Sequence, residues 1–306
     1  MFGMVDIRKI LVPVDFSAAS TKALRYATAL AREFDATLLI AHIIEYSPPT
    51  AYAFPGETFE IQKHHIEEVR KKLKDMVPEE VRDSLNYRFI VKSGIVSDEL
   101  VAAMKDEPVE LVVMGTHGRR GFKHWVLGST TEHLLRRVPM PILTVSHTEE
   151  DTAPSSLAGG RILYATDLFE GAGKGLDIAY DWARRFAAEL TALHVMLPLQ
   201  LEYGATYLPL DIGKDHKALH KELSDELEQA IPESIRLDSR VRCTVGEGVP
   251  YEVILKFAED WNADLIVIHL HGKSRRERSL IGSTAERIVR GATRPVLSIP
   301  ILDSAE

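Results

Sequence analysis

The sequence has a single cysteine, Cys243, so no disulfide can form within the chain, and extracellular stapling is excluded as a source of stability. It has no apolar run approaching the roughly 18 residues that a membrane-spanning helix requires. The opening MFGMVDIRKILVPVDF lacks the pattern of a secretory signal. Positive charge is not in surplus either: the formal net charge is −8, which argues against a general nucleic-acid binder. Low-complexity stretches are missing too. These absences leave a cytoplasmic globular protein as the expectation. On an acidic body, local basic loops suit a small anionic ligand. The 306 residues are long for one domain and comfortable for two of about 150.

What is present is a repeat. ILVPVDFSAASTKALRYATALAREFDATLLIAHII begins at Ile10, and ILYATDLFEGAGKGLDIAYDWARRFAAELTALHVM begins at Ile162. At this constant offset Asp15 meets Asp167, Lys22 meets Lys174, Phe34 meets Phe186 and His42 meets His194. Further on, with the offset grown by two residues, Gly94 meets Gly248, Gly118 meets Gly272, and Gly128-Ser129-Thr130 meets Gly282-Ser283-Thr284. A tandem duplication accounts for this. The expected domains are 1–147 and 161–306, joined by the polar, Gly/Pro/Ser-containing linker 148–160.

Each half alternates apolar runs with amphipathic segments. In the first, strands are expected at Lys9–Val14, Thr37–Ile44, Tyr87–Val91, Leu111–Met114 and Ile142–Val145. Helices are expected at Ser20–Phe34, near Phe59–Met76, at Ser97–Lys105 and at Thr130–Arg137. This alternation predicts an α/β fold with a parallel sheet covered by helices on both faces.

Between the fourth strand and the fourth helix lies GTHGRRGFKHWVLGST, from Gly115 to Thr130. Ligands of open parallel sheets bind beyond the carboxyl ends of the strands, where strand order reverses. Glycine lets backbone approach a ligand closely, and a helix beginning near Gly128-Ser129 offers unpaired N–H groups to an anion. With Arg119, Arg120 and Lys123 nearby, these parts suit a polyphosphate. Neither common fingerprint is met. Gly171-Ala172-Gly173-Lys174-Gly175 fails both the Walker spacing and G-x-G-x-x-G, and reads as an accident of helix entry or a loosened turn.

The pattern G-x2-G-x9-G-S/T, matched by Gly115, Gly118, Gly128 and Ser129, together with Asp15 ending the first strand, resembles the universal stress protein family in its ATP-binding class. The resemblance covers both halves. It implies two tandem adenine-nucleotide-binding α/β sandwiches, each with a five-stranded parallel sheet of order 3-2-1-4-5 flanked by helices. It further implies that Pro13, Val14 and Asp15 meet the adenine, with Ala41 and His42 bordering it. Met114, Gly115, His117, Gly118 and Arg119 would line the ribose and phosphates, and Gly128, Ser129, Thr130 and Thr131 would hold phosphate oxygens. The implied ligand is ATP with Mg2+ or Mn2+. The implied role is a stress-response switch that signals to a protein partner, with slow or no hydrolysis and no catalytic residue assigned.

The second half departs from the pattern. His269 replaces Gly115 and Ala165 replaces Pro13, while Asp167, His271, Gly272, Gly282, Ser283 and Thr284 remain. Nucleotide is therefore expected in the first half, and weak nucleotide, another anion or nothing in the second. Single-domain members of the family often pair through their last strands. Ile142–Val145 and Val296–Ile299 carry matching apolar runs, so an intramolecular pseudo-dimer is expected, with a homodimer open beyond it.

Plainer readings compete with several of these. Ser129-x-x-Glu132 and Ser283-x-x-Glu286 are capping-box patterns. His117 and His271 read as backbone-bonded loop histidines before they read as catalysts. His64-His65 and the i, i+4 pair His216 and His220 read as solvated helix faces before zinc ligands. Two other function classes stay open: a nucleotide-free scaffold or lipid or small-anion binder, and an ATP-using adenylating enzyme.

Overall fold

The computed structural model describes residues 6–45, 57–116, 127–146, 157–168, 172–198, 212–270 and 281–300. The chain divides into two compact units, Asp6–Pro154 and Ser155–Glu306.

The first unit runs β1 (Lys9–Pro13), α1 (Ala18–Phe34), β2 (Thr37–Ile44), α2 (Glu57–Met76), α3 (Glu79–Arg82), β3 (Tyr87–Ser93), α4 (Val96–Asp106), β4 (Leu111–Gly115), α5 (Ser129–Arg137) and β5 (Ile142–Val145). Every neighbouring pair of strands is parallel, and the order across the sheet is β3-β2-β1-β4-β5. Parallel strands need crossovers, so helices cover the faces and the central strands become near-continuous apolar runs. Ile10, Leu11, Val12, Leu38, Leu39, Ile40, Leu111, Val112 and Val113 are fully buried for this reason. Ala23, Leu24, Ala27, Leu30 and Ala31 form the stripe by which α1 lies on the sheet.

The second unit repeats the design with β6 (Arg161–Thr166), α6 (Ala172–Arg185), β7 (Glu189–Met196), α7 (Ile212–Ala230), α8 (Glu233–Arg236), β8 (Val241–Glu247), α9 (Pro250–Asp260), β9 (Leu265–Leu270), α10 (Ser283–Gly291) and β10 (Val296–Pro300). Its order is β10-β9-β6-β7-β8, the same topology. The expected α/β fold and the order 3-2-1-4-5 hold in both units.

The duplication extends to unusual backbone. Phe16 (φ 63°) and Leu168 (φ 59°) are left-handed at equivalent positions after the first strand, as are Asp35 (φ 52°) and Ala187 (φ 51°) after the first helix. Left-handed conformation disfavours a side chain with a Cβ, so its recurrence reflects the same forced turn in each half. The one-turn helices α3 and α8 were not expected. Each follows a proline, Pro78 or Pro232, whose fixed φ starts a turn too short to show periodicity.

Candidate functional site at the strand ends

In the first unit β1 lies between β2 and β4, so chain direction across the sheet reverses between β1 and β4. Leu11 is in register with Val112, and the same offset carried forward brings Val14 level with Gly115. The two sequence-selected strand ends are therefore neighbours at the switch point.

Asp15 is placed by a compact turn. The Val14 N–H donates to the Ala41 carbonyl at 2.8 Å, which extends the β1–β2 ladder by one residue. Phe16 then turns left-handed, and the Ser17 N–H donates to Asp15 Oδ1 at 3.0 Å. Ser17 is also the N-cap of α1, its hydroxyl accepting the Ser20 N–H. The Asp15 N–H in turn reaches Ser20 Oγ at 3.3 Å. This hydroxyl network at the entry to α1 carried no motif and escaped sequence reasoning. Serine near a helix start was its one visible trace.

His42 is buried and donates from Nδ1 to the Val14 carbonyl at 2.6 Å, because a carbonyl can only accept. Its ring also packs on Phe16, with centroids 4.7 Å apart. His194 makes the same bond to Thr166 at 2.9 Å in the second unit. The histidine therefore ties the second strand to the carboxyl end of the first and fixes the bend that carries Asp15 or Asp167. Pro13 ends β1 half-buried, and Met114 is buried in β4.

Gly115 ends β4 beneath α1. A Cβ there would stand 2.7 Å from the Ala19 Cβ and 2.9 Å from the Ala19 carbonyl carbon, too close for any side chain. The Gly115 carbonyl accepts from Thr131 Oγ1 at 3.0 Å, so the Thr131 hydroxyl clasps α5 to the end of β4. Thr116 follows and pins both ends of the glycine-rich connection. Its N–H donates to the Val145 carbonyl at 3.1 Å, and its own carbonyl accepts the Gly128 N–H at 2.8 Å. The chain thus leaves and re-enters the sheet end at one place. His117, Gly118 and Arg119, with Arg120 and Lys123, lie outside the described residues, as do His271 and Gly272.

The N-cap of α5 is Gly128, and Ser129 is its first helical residue, exposed. The capping box expected at Ser129-x-x-Glu132 therefore does not form, because the cap falls on a residue without a side chain. Glu132 pairs instead with Arg136 at 2.8 Å, one turn along the helix. The same holds at Gly282, which caps α10 with nearly the same φ and ψ. Without a side-chain cap, the first-turn N–H groups at Ser129, Thr130 and Thr131 face outward with no partner inside the helix. Such a helix end offers partial positive charge to an anion.

The second unit differs at the strand end. His269 is half-buried in β9, with its Nε2 3.2 Å from the Tyr164 hydroxyl. Burial pushes the Tyr164 phenol above its ordinary pKa; Thr166 opposes this through a hydrogen bond, and Asp167 and Asp177 reinforce it. The group is a neutral phenol throughout the physiological range. Gly175 in α6, expected to be a by-product of helix entry, has a packing role: a Cβ on it would overlap His269 Nε2.

Among the described residues no group of three His, Cys, Asp or Glu is placed to hold a metal ion. His64 is exposed and lies beside Glu68, as expected of a solvated face. No helix among the described residues is long and apolar enough to cross a membrane.

The sequence pattern of the Universal stress protein family matches residues 6–146 and again residues 160–300. The chain belongs to the universal stress protein family. A universal stress protein of Mycolicibacterium smegmatis is 27% identical over 301 residues, covering 95% of this chain and 96% of that protein. Universal stress protein MJ0531 of Methanocaldococcus jannaschii is 28% identical over 147 residues, 47% of this chain and 85% of its own length. Among solved structures, a universal stress protein from Archaeoglobus fulgidus superposes with a TM-score of 0.67 at 21% identity, covering 95% of this chain and 98% of that one. The chain is a tandem universal stress protein with one family unit in each half.

Proposed function

We infer that the first half binds an adenine nucleotide, ATP by preference, at the carboxyl ends of β1 and β4, and that binding switches the surface offered to a signalling partner. One arrangement carries this: Asp15, just past the end of β1, and Gly115, the last residue of β4, lie on adjacent strands at the reversal point, and Thr116 meets Gly128 there at the start of α5. A carboxylate on one wall suits hydrogen-bond donors of a base. The helix N–H groups at the start of α5 suit phosphates.

In this reading Pro13, Val14, Asp15, Ala41 and His42 frame the base. Met114, Gly115, His117 and Gly118 border the ribose and phosphates, and Gly128, Ser129 and Thr130 receive the phosphate oxygens. Thr131 acts through its clasp on Gly115 and positions the others. A divalent cation accompanying the nucleotide would take most of its ligands from the phosphates. Hydrolysis, as the family resemblance implies, is expected to be slow.

Calorimetric titration with Mg-ATP tests the reading. Micromolar or tighter binding is expected in the native chain, with a loss of at least tenfold in Gly118→Val and in Asp15→Ala. Unchanged affinity in both variants would remove the site.

A further inference from the structure

Asp15 is held at both its backbone and its carboxylate. Its N–H donates to Ser20 Oγ at 3.3 Å, and its Oδ1 accepts the Ser17 N–H at 3.0 Å. Ser20 Oγ donates in turn to the Ser17 carbonyl at 3.0 Å, which closes a ring through the three residues. A hydroxyl has one proton and two lone pairs. Ser20 uses all of them, because Ser17 Oγ also donates to it, at 3.4 Å. The Ser17 carbonyl further accepts from the N–H and the hydroxyl of Thr21, each at 2.9 Å, so the ring is anchored in the first turn of α1. Ser20 is only 5% exposed. Burying its hydroxyl would cost free energy if these bonds were not made.

The fold does not require this ring. In the second half Leu168 takes the same left-handed conformation as Phe16, and His194 makes the same bond as His42 to the end of the first strand. Yet Phe169 and Ala172 stand at the positions of Ser17 and Ser20, and the Leu168 N–H bonds Thr166 Oγ1 instead, at 3.1 Å. The turn forms on either support. What the serines add concerns Asp15 itself. The bond from the Ser17 N–H sets the carboxylate against its own backbone. The bond to Ser20 sets that backbone against α1. Together they fix the carboxylate relative to the helix that covers the strand end.

We propose that Ser20 is a positioning residue for nucleotide binding: its buried hydroxyl fixes Asp15 so that the carboxylate is in place before the base arrives. This rests on the reading of the first half as a nucleotide site. A carboxylate free to swing must be ordered on binding, whereas one already held loses little freedom. Ser20 touches no ligand in this role and acts only through Asp15.

A double-mutant cycle in Mg-ATP calorimetry on the full-length chain tests this. Ser20→Ala is expected to weaken binding about three- to tenfold in the native background and not at all in the Asp15→Ala background, where the hydroxyl has no carboxylate to place. A residue that only supported α1 would cost the same in both. Equal losses in the two backgrounds, or no loss in the native one, overturn the proposal and leave the site standing. Native protein that binds no ATP removes the site, and the proposal with it. Hydrogen exchange at the Ser17 N–H, whose acceptor is the carboxylate, gives a reading that needs no ligand. It is expected to quicken several-fold in Ser20→Ala, and an unchanged rate overturns the proposal. Near-ultraviolet circular dichroism checks that each variant folds. Should Ser20→Ala not fold, Ser20→Cys takes its place under the same outcomes, since it keeps the shape while a thiol bonds only weakly.

Discussion

Gly115 shows how a residue singled out for one reason can be required for another. The sequence motif proposes it as a place for backbone to meet a ligand; the fold requires it because Ala19 of α1 leaves no space for a Cβ. That steric requirement was invisible in sequence, since it depends on how closely a helix lies over a strand end. Left-handed residues give another residue-scale case. Asp35 and Ala187 both end the first helix of their unit, and the next N–H reaches back to Ala31 or Ala183 at 2.8 Å. Aspartate tolerates this conformation better than alanine does. Ala187 is exposed, so Ala187→Gly removes conformational strain without losing packing. The expected gain is about 0.5–1 kcal/mol after the added freedom of the unfolded chain, and thermal melting should show Tm rising by a few degrees.

Among elements, the decisive relation is between β4 and α5. The apolar run Leu111–Met114 predicts the strand and Thr130–Arg137 the helix, but no pattern states how they are joined. Two bonds do this: Thr131 to the Gly115 carbonyl, and Gly128 to the Thr116 carbonyl. The first is a side-chain bond in buried surroundings. Thr131→Val keeps the shape, deletes the donor and leaves the carbonyl unpaired, at an expected loss of about 1–2 kcal/mol in chemical denaturation. Thr131→Ser should recover most of it. ATP affinity should fall in the valine variant and return in the serine variant, since this clasp is one of the two bonds that hold the start of α5.

For the whole molecule, duplication makes asymmetry measurable. Among the described residues the units share topology, the glycine caps of α5 and α10 and the left-handed turns after the first strand and first helix, so local substitutions can be compared position by position. A ligand that binds the folded state at a hundred times its Kd stabilises its unit by about 2.7 kcal/mol. Saturating Mg-ATP is therefore expected to raise hydrogen-exchange protection in peptides across β4 and α5 while leaving those across β9 and α10 unchanged. Equal protection in both halves would mean that the second unit also takes nucleotide.

The duplication and the alternation of strands and helices were legible from residues alone, because periodic burial and repeated motifs are written locally. Strand order came from family resemblance, and no local pattern encodes it. The contacts that give particular residues their work were decided only in three dimensions. Gly175 looked incidental until His269 was found against it, from a strand ninety-odd residues away. The Ser17–Ser20 network, the turn at Phe16 and the latch at Thr116 share that origin. The physical reason is the same in each case: a sequence records which residues are available, whereas steric exclusion and hydrogen-bond satisfaction act between groups that only folding brings within reach.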